Sequence, residues 1–212
     1  MPLIHLKEVK KDRLVALFEI RESESELLDK LGTHLPDLDQ LEAYSNGLKR
    51  KEWLAARLLL KELCHILGIE YAGTRKDSNG KPFLQGHSIQ ISLSHSFPYV
   101  TVICDPINDV GIDIEQPKEK LYKIAPRFLD ERELALCSND LLAVCQFWCA
   151  KETLYKIYSR KGLNFREQIH LYTNGTSPWE HIQGIIQNEH ISQSYELIAE
   201  TGPDYALTYN IS

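Results

Sequence analysis

The chain has 212 residues, 43% apolar and 25% charged, with 24 basic against 30 acidic side chains and a formal net charge of −6. That composition belongs to a folded globular protein of one large domain or two small ones, and it excludes a disordered chain. It also argues against a sequence-independent grip on nucleic acid, which needs a basic field, and against a bilayer span, which needs about 20 consecutive apolar residues.

The opening MPLIHLKEVKK does not set an apolar stretch behind a basic end, so no secretory leader and no membrane partner are expected. Residues 3–9 read as a short β-like opening, and 14–20 form an apolar stretch. ESELLDKLG follows, with acids in its first turn and Gly32 at its end, as helices prefer. A second helix is expected from about Pro36 or later to Leu67, where Trp53, Leu54, Arg57, Leu58 and Lys61 recur at helical spacing before Gly68. Asn79-Gly80 signals a tight turn, and SIQISLS, YVTVIC and DVGIDIE read as strands. Residues 120–136 read as helical, and 141–159 as the strongest helix of the chain; 165–172, 184–188, 195–200 and 205–211 read as strands. A helical block thus feeds strands twice, which predicts an α+β fold of two similar lobes, 1–107 and 108–212. Cys64, Cys104, Cys137, Cys145 and Cys149 are odd in number and form no CxxC pair, so a disulfide framework is not expected and a cytoplasmic location is.

Three stretches could carry chemistry. In GIDIE, strand alternation turns Asp113 and Glu115 to one face and Ile112 and Ile114 to the other. Two adjacent carboxylates repel unless a cation joins them, and Mg²⁺ accepts such oxygen ligands; the bland alternative is a solvated strand face. In WCAKETLYK, Glu152 and Lys156 share one helix face, as a third metal ligand or general base beside a cation, or simply as a surface ion pair. The apolar run around them favours burial, where a carboxylate needs a partner. In SLSHS, Ser94 and His95 at a strand end offer donors to a phosphate, while Arg57 and Lys81 are cations set among apolar or turn residues. Neither a P-loop nor a GxGxxG stretch is present, so phosphate would be met by separate side chains and a metal.

The order NGKP, SLSHS, GIDIE, WCAKETLYK resembles the 4′-phosphopantetheinyl transferase superfamily, in its two-lobed Sfp-type branch, over residues 53–165. Thr153 stands where the family usually has alanine or serine. The resemblance implies two lobes in pseudo-twofold arrangement with the active site between them. It implies Mg²⁺ held by Asp113, Glu115 and Glu152 against the pyrophosphate of coenzyme A, the co-substrate, with Lys156 beside the same pyrophosphate. Arg57 and His95 would meet the 3′-phosphate end, Lys81 and Ser94 would help seat the nucleotide, and Trp148 and Lys151 would set the helix. The implied reaction moves the phosphopantetheine arm to a serine of an acyl or peptidyl carrier protein, with Glu152 and Lys156 as catalytic groups, in a protein for which a monomer suffices. A coenzyme A-binding module without activity and a metal-dependent phosphohydrolase are the alternatives. Residues 117–128, which mix basic and apolar side chains, are a candidate carrier dock.

Overall fold

The computed structural model describes residues 3–32 and 37–212. The chain divides into two compact units, Met1–Val110 and Gly111–Ser212, each with its own hydrophobic core. Helix and antiparallel sheet are mixed in both, which is the α+β class that the sequence predicts.

In the first unit, β1 (Leu3–Lys10), β2 (Arg13–Glu19), β5 (Gln90–Ser96) and β6 (Tyr99–Asp105) form an antiparallel sheet in the order β1-β2-β6-β5. Alternate residues Ala16 and Phe18 of β2 and Val100, Val102 and Cys104 of β6 enter one core, as period-two side chains on one sheet face must. Over that core lies α2 (Gly47–Ile66), contributing Trp53, Leu54, Leu58 and neighbours, and beside α2 packs α1 (Glu24–Leu31). Ser23 and Glu26 close a capping box at the start of α1. β3 (Thr74–Lys76) and β4 (Pro82–Leu84) make a separate hairpin around the Asn79-Gly80 turn, where Gly80 takes φ +95°.

In the second unit the sheet order is β7-β11-β10-β9-β8, all antiparallel. The strands are β7 (Ile112–Glu115), β8 (Ile169–Tyr172), β9 (His181–Gln187), β10 (Ser192–Thr201) and β11 (Ala206–Asn210). Against it packs α5 (Leu141–Tyr158), with Phe147, Cys149, Ala150 and Leu154 fully buried. Before α5 come α3 (Glu119–Phe128) and α4 (Glu131–Cys137), and after it the single turn α6 (Phe165–Gln168).

Three expectations are corrected. The second helix begins at Gly47, because the Asn46 side chain accepts from the N–H groups of Leu48 and Lys49; residues Leu38–Ala43 form a separate 3-10 turn, and 33–36 lie outside the described residues. The helix over 120–136 is two helices, because Asp130 and Glu133 form a capping box that starts α4 anew. The strand over 165–172 begins only at Ile169, because Asn164 caps a helical turn first.

Candidate functional site

The acids of β7 are brought to α5 by an unusually close approach of strand and helix. A Cβ on Gly111 would lie 2.3 Å from the Thr153 carbonyl oxygen and 2.7 Å from Ile157 Cγ1, so only glycine permits this spacing. From the helix side, Thr153 Oγ1 donates to the Thr208 carbonyl (2.9 Å), and the Cys145 and Cys149 thiols reach the carbonyls of Glu115 (3.5 Å) and Ala206 (3.4 Å). The helix therefore runs along β7 and β11, which brings Lys156 onto Asp113 and Glu152 within range of the charges of Asp113 and Glu115.

Lys156 Nζ donates to Asp113 Oδ1 and to the Ile112 carbonyl, both at 2.8 Å. Lys118 Nζ stands 4.0 Å from Glu115 Oε1. Burial pushes the Glu152 carboxyl up to about 7, and the charges of Asp113 and Glu115 push the same way against the pull of Lys156. Burial is the larger cause of that shift, and the neighbouring negative charges add to it.

Among the described residues, no group of three or more His, Cys, Asp or Glu is spaced to hold a metal ion. The donor chemistry nonetheless suits Mg²⁺, a hard cation that takes one or two carboxylates and completes its shell with water and phosphate oxygens. A divalent ion there would also relieve the repulsion that raises Glu152.

The other residues of the helix motif hold it in place. Lys151 is fully buried; its Nζ donates to the carbonyls of Phe165 and Ile169 at 2.8 Å and meets Glu133 Oε2 at 2.7 Å. Glu133 Oε1 in turn accepts the Leu171 N–H, so one buried ion pair ties α5 to α4 and to β8. Trp148 packs edge-on against Phe128 at 4.8 Å.

In the first unit the candidates have separate partners. Arg57, 8% exposed, stacks on the Trp53 ring, donates to Thr74 Oγ1 and lies 3.9 Å from Asp37. Lys81 pairs with Asp109 at 2.7 Å. Ser94 is buried on β5 opposite Thr101. His95 Nδ1 lies 3.2 Å from Glu52 Oε2.

Residues 109–209 match the sequence model of the 4′-phosphopantetheinyl transferase superfamily. A Haemophilus influenzae protein named "Putative 4'-phosphopantetheinyl transferase" is 33% identical over 114 residues, and the chain spans about half the length of that curated relative (48%). The superfamily segment contains Asp113, Glu115, Glu152 and Lys156, whereas Arg57, Lys81, Ser94 and His95 lie before it.

Sequence reasoning missed Glu52, Glu133 and the role of Gly111. The Asp130-x-x-Glu133 spacing of a capping box was a readable signal for Glu133; the contacts of Glu52 to β5 and of Gly111 to α5 join residues distant in sequence and left none.

Proposed function

We propose that the chain is a 4′-phosphopantetheinyl transferase of the two-lobed branch, moving the phosphopantetheine arm of coenzyme A to a serine hydroxyl of an acyl or peptidyl carrier protein. The observation that carries this reading is the 2.8 Å contact of Lys156 Nζ with Asp113 inside the matched segment, with Glu152 near enough to feel the charges of Asp113 and Glu115. In this reading Asp113, Glu115 and Glu152 would hold Mg²⁺ at the pyrophosphate, drawn closer together than they stand without it. Bound there, the ion supplies neutralisation of pyrophosphate charge that otherwise repels the nucleophile.

The serine oxygen forms a bond to the β-phosphorus, the bond from that phosphorus to the bridging oxygen breaks, and adenosine 3′,5′-bisphosphate departs. Glu152, directly or through a water, takes the serine proton; Lys156 shifts from Asp113 to the departing phosphate oxygens. Arg57 and His95 meet the 3′-phosphate end, and Lys81 and Ser94 seat the nucleotide. The exposed basic side of α3 forms part of the carrier dock.

Intact-mass spectrometry of a panel of apo carriers, incubated with coenzyme A and Mg²⁺, tests the reading. The expected result is a mass gain of one phosphopantetheine on at least one carrier, lost with chelator and lost at least a hundredfold in Asp113→Ala while the melting profile is kept. A folded protein that modifies none of several unrelated carriers overturns it, and turnover of coenzyme A without any carrier assigns a phosphohydrolase instead.

A further inference from the structure

Glu52 sits near the start of α2 with its side chain only 5% exposed, a costly place for a carboxylate without partners. Lys49 Nζ lies 2.8 Å from Oε2, His95 Nδ1 lies 3.2 Å from the same oxygen, and the Phe97 N–H donates to Oε1 at 3.1 Å. Burial alone would raise this carboxyl; His95 and Lys49 outweigh it and hold the group at about 2. Glu52 is therefore a fixed negative charge that joins α2 to the end of β5.

The consequence falls on His95. Its side chain is 38% exposed, and Nδ1 is the ring nitrogen turned to Glu52. Which proton an imidazole nitrogen carries is set by what the other nitrogen bonds. With Glu52 beside Nδ1, Nε2 is the ring nitrogen left to meet a ligand. An anion reaching that edge meets a ring positioned by the carboxylate behind it.

We propose that Glu52 is a positioning residue for the anionic co-substrate, acting through His95 by fixing the ring so that Nε2 is presented to a phosphate. The inference rests on the reading that His95 meets the 3′-phosphate of coenzyme A. A purely structural role, as acceptor for Phe97 N–H, would leave phosphate selectivity untouched.

Calorimetric titration of the full chain with coenzyme A and with 3′-dephospho-coenzyme A separates the two, because these ligands differ by that single phosphate. Glu52→Gln keeps an acceptor for Phe97. It is expected to weaken coenzyme A about tenfold and the dephospho ligand less than twofold, as is His95→Ala, and the double variant is expected to be no worse than His95→Ala alone. Glu52→Asp keeps the charge but withdraws it from the ring; it is expected to show the same selective loss, and it serves if Glu52→Gln lowers the melting temperature. Unchanged affinity for coenzyme A, equal loss for both ligands, or additive losses in the double variant overturn the role of Glu52. If His95→Ala itself does not distinguish the ligands, the assignment of His95 falls and takes this inference with it.

Discussion

Glu52 and Glu152 are both carboxylates in places that disfavour charge, and their neighbours decide opposite outcomes. Around Glu152 burial acts with Asp113 and Glu115, and the carboxyl rises to about 7; around Glu52 burial is outweighed by His95 and Lys49, and the carboxyl falls to about 2. For Glu52 this sets the acid stability of the first unit. Its folded pKa is depressed below the ordinary 4.5, so between those values the unfolded chain binds more protons. The stability it contributes is complete above about pH 4.5 and is lost as pH falls through about 2. Urea unfolding at a series of acidic pH values should show that limb in the wild type and a flatter one in Glu52→Gln; identical slopes would mean the carboxylate gains nothing from its partners. Such pairings were invisible in the sequence because a helix residue and a strand-end histidine become neighbours only after the sheet has closed on α2. Glu152 was legible, since an apolar helix with an acid and a lysine four residues apart already posed the question of what compensates the buried charge.

At the scale of elements, the site depends on how closely β7 and α5 pack. Gly111→Ala inserts a methyl 2.3 Å from the Thr153 carbonyl oxygen, a backbone atom that cannot swing aside. The strand must retreat, carrying Asp113 and Glu115 from Glu152. We expect a loss of about 3 kcal/mol in urea unfolding and transfer reduced more than tenfold even where the protein remains folded. Full activity in a stable Gly111→Ala protein would show that the approach is not needed by the site. Both elements were readable, β7 from the alternation in GIDIE and α5 from its long apolar run, but the contact between them was not. Element boundaries failed where a polar side chain caps a helix locally: Asn46, Asp130 and Asn164 each start a helix that apolar periodicity alone placed elsewhere or left out. Lys151 shows the reverse, a motif lysine whose expected helix-setting role has a concrete form in its buried pairing with Glu133.

For the molecule as a whole, the governing quantity is a net charge of −6 with a sequence pI near 5.8. No helix among the described residues is long and apolar enough to cross a membrane. An acidic carrier would be repelled by the average field of the chain, and its capture would depend on a local cationic surface. On α3, Leu121, Ala125 and Phe128 are buried while Lys120, Lys123 and Arg127 are exposed, which leaves a basic strip on an anchored helix. Lys118 is a poor place to probe it, because its ammonium lies 4.0 Å from Glu115 and reversal there would disturb the carboxylates. The double reversal Lys120→Glu, Lys123→Glu avoids this. Local attraction and overall repulsion are both screened by salt, with a Debye length of about 10 Å at 0.1 M, but they change the rate in opposite directions. The wild type should therefore lose carrier kcat/KM as salt rises. The double variant should start at least tenfold lower and gain with salt, with coenzyme A affinity unchanged by calorimetry. Parallel salt curves for the two proteins would place the carrier on another surface, and a fall in coenzyme A affinity would mean that the strip serves the nucleotide instead.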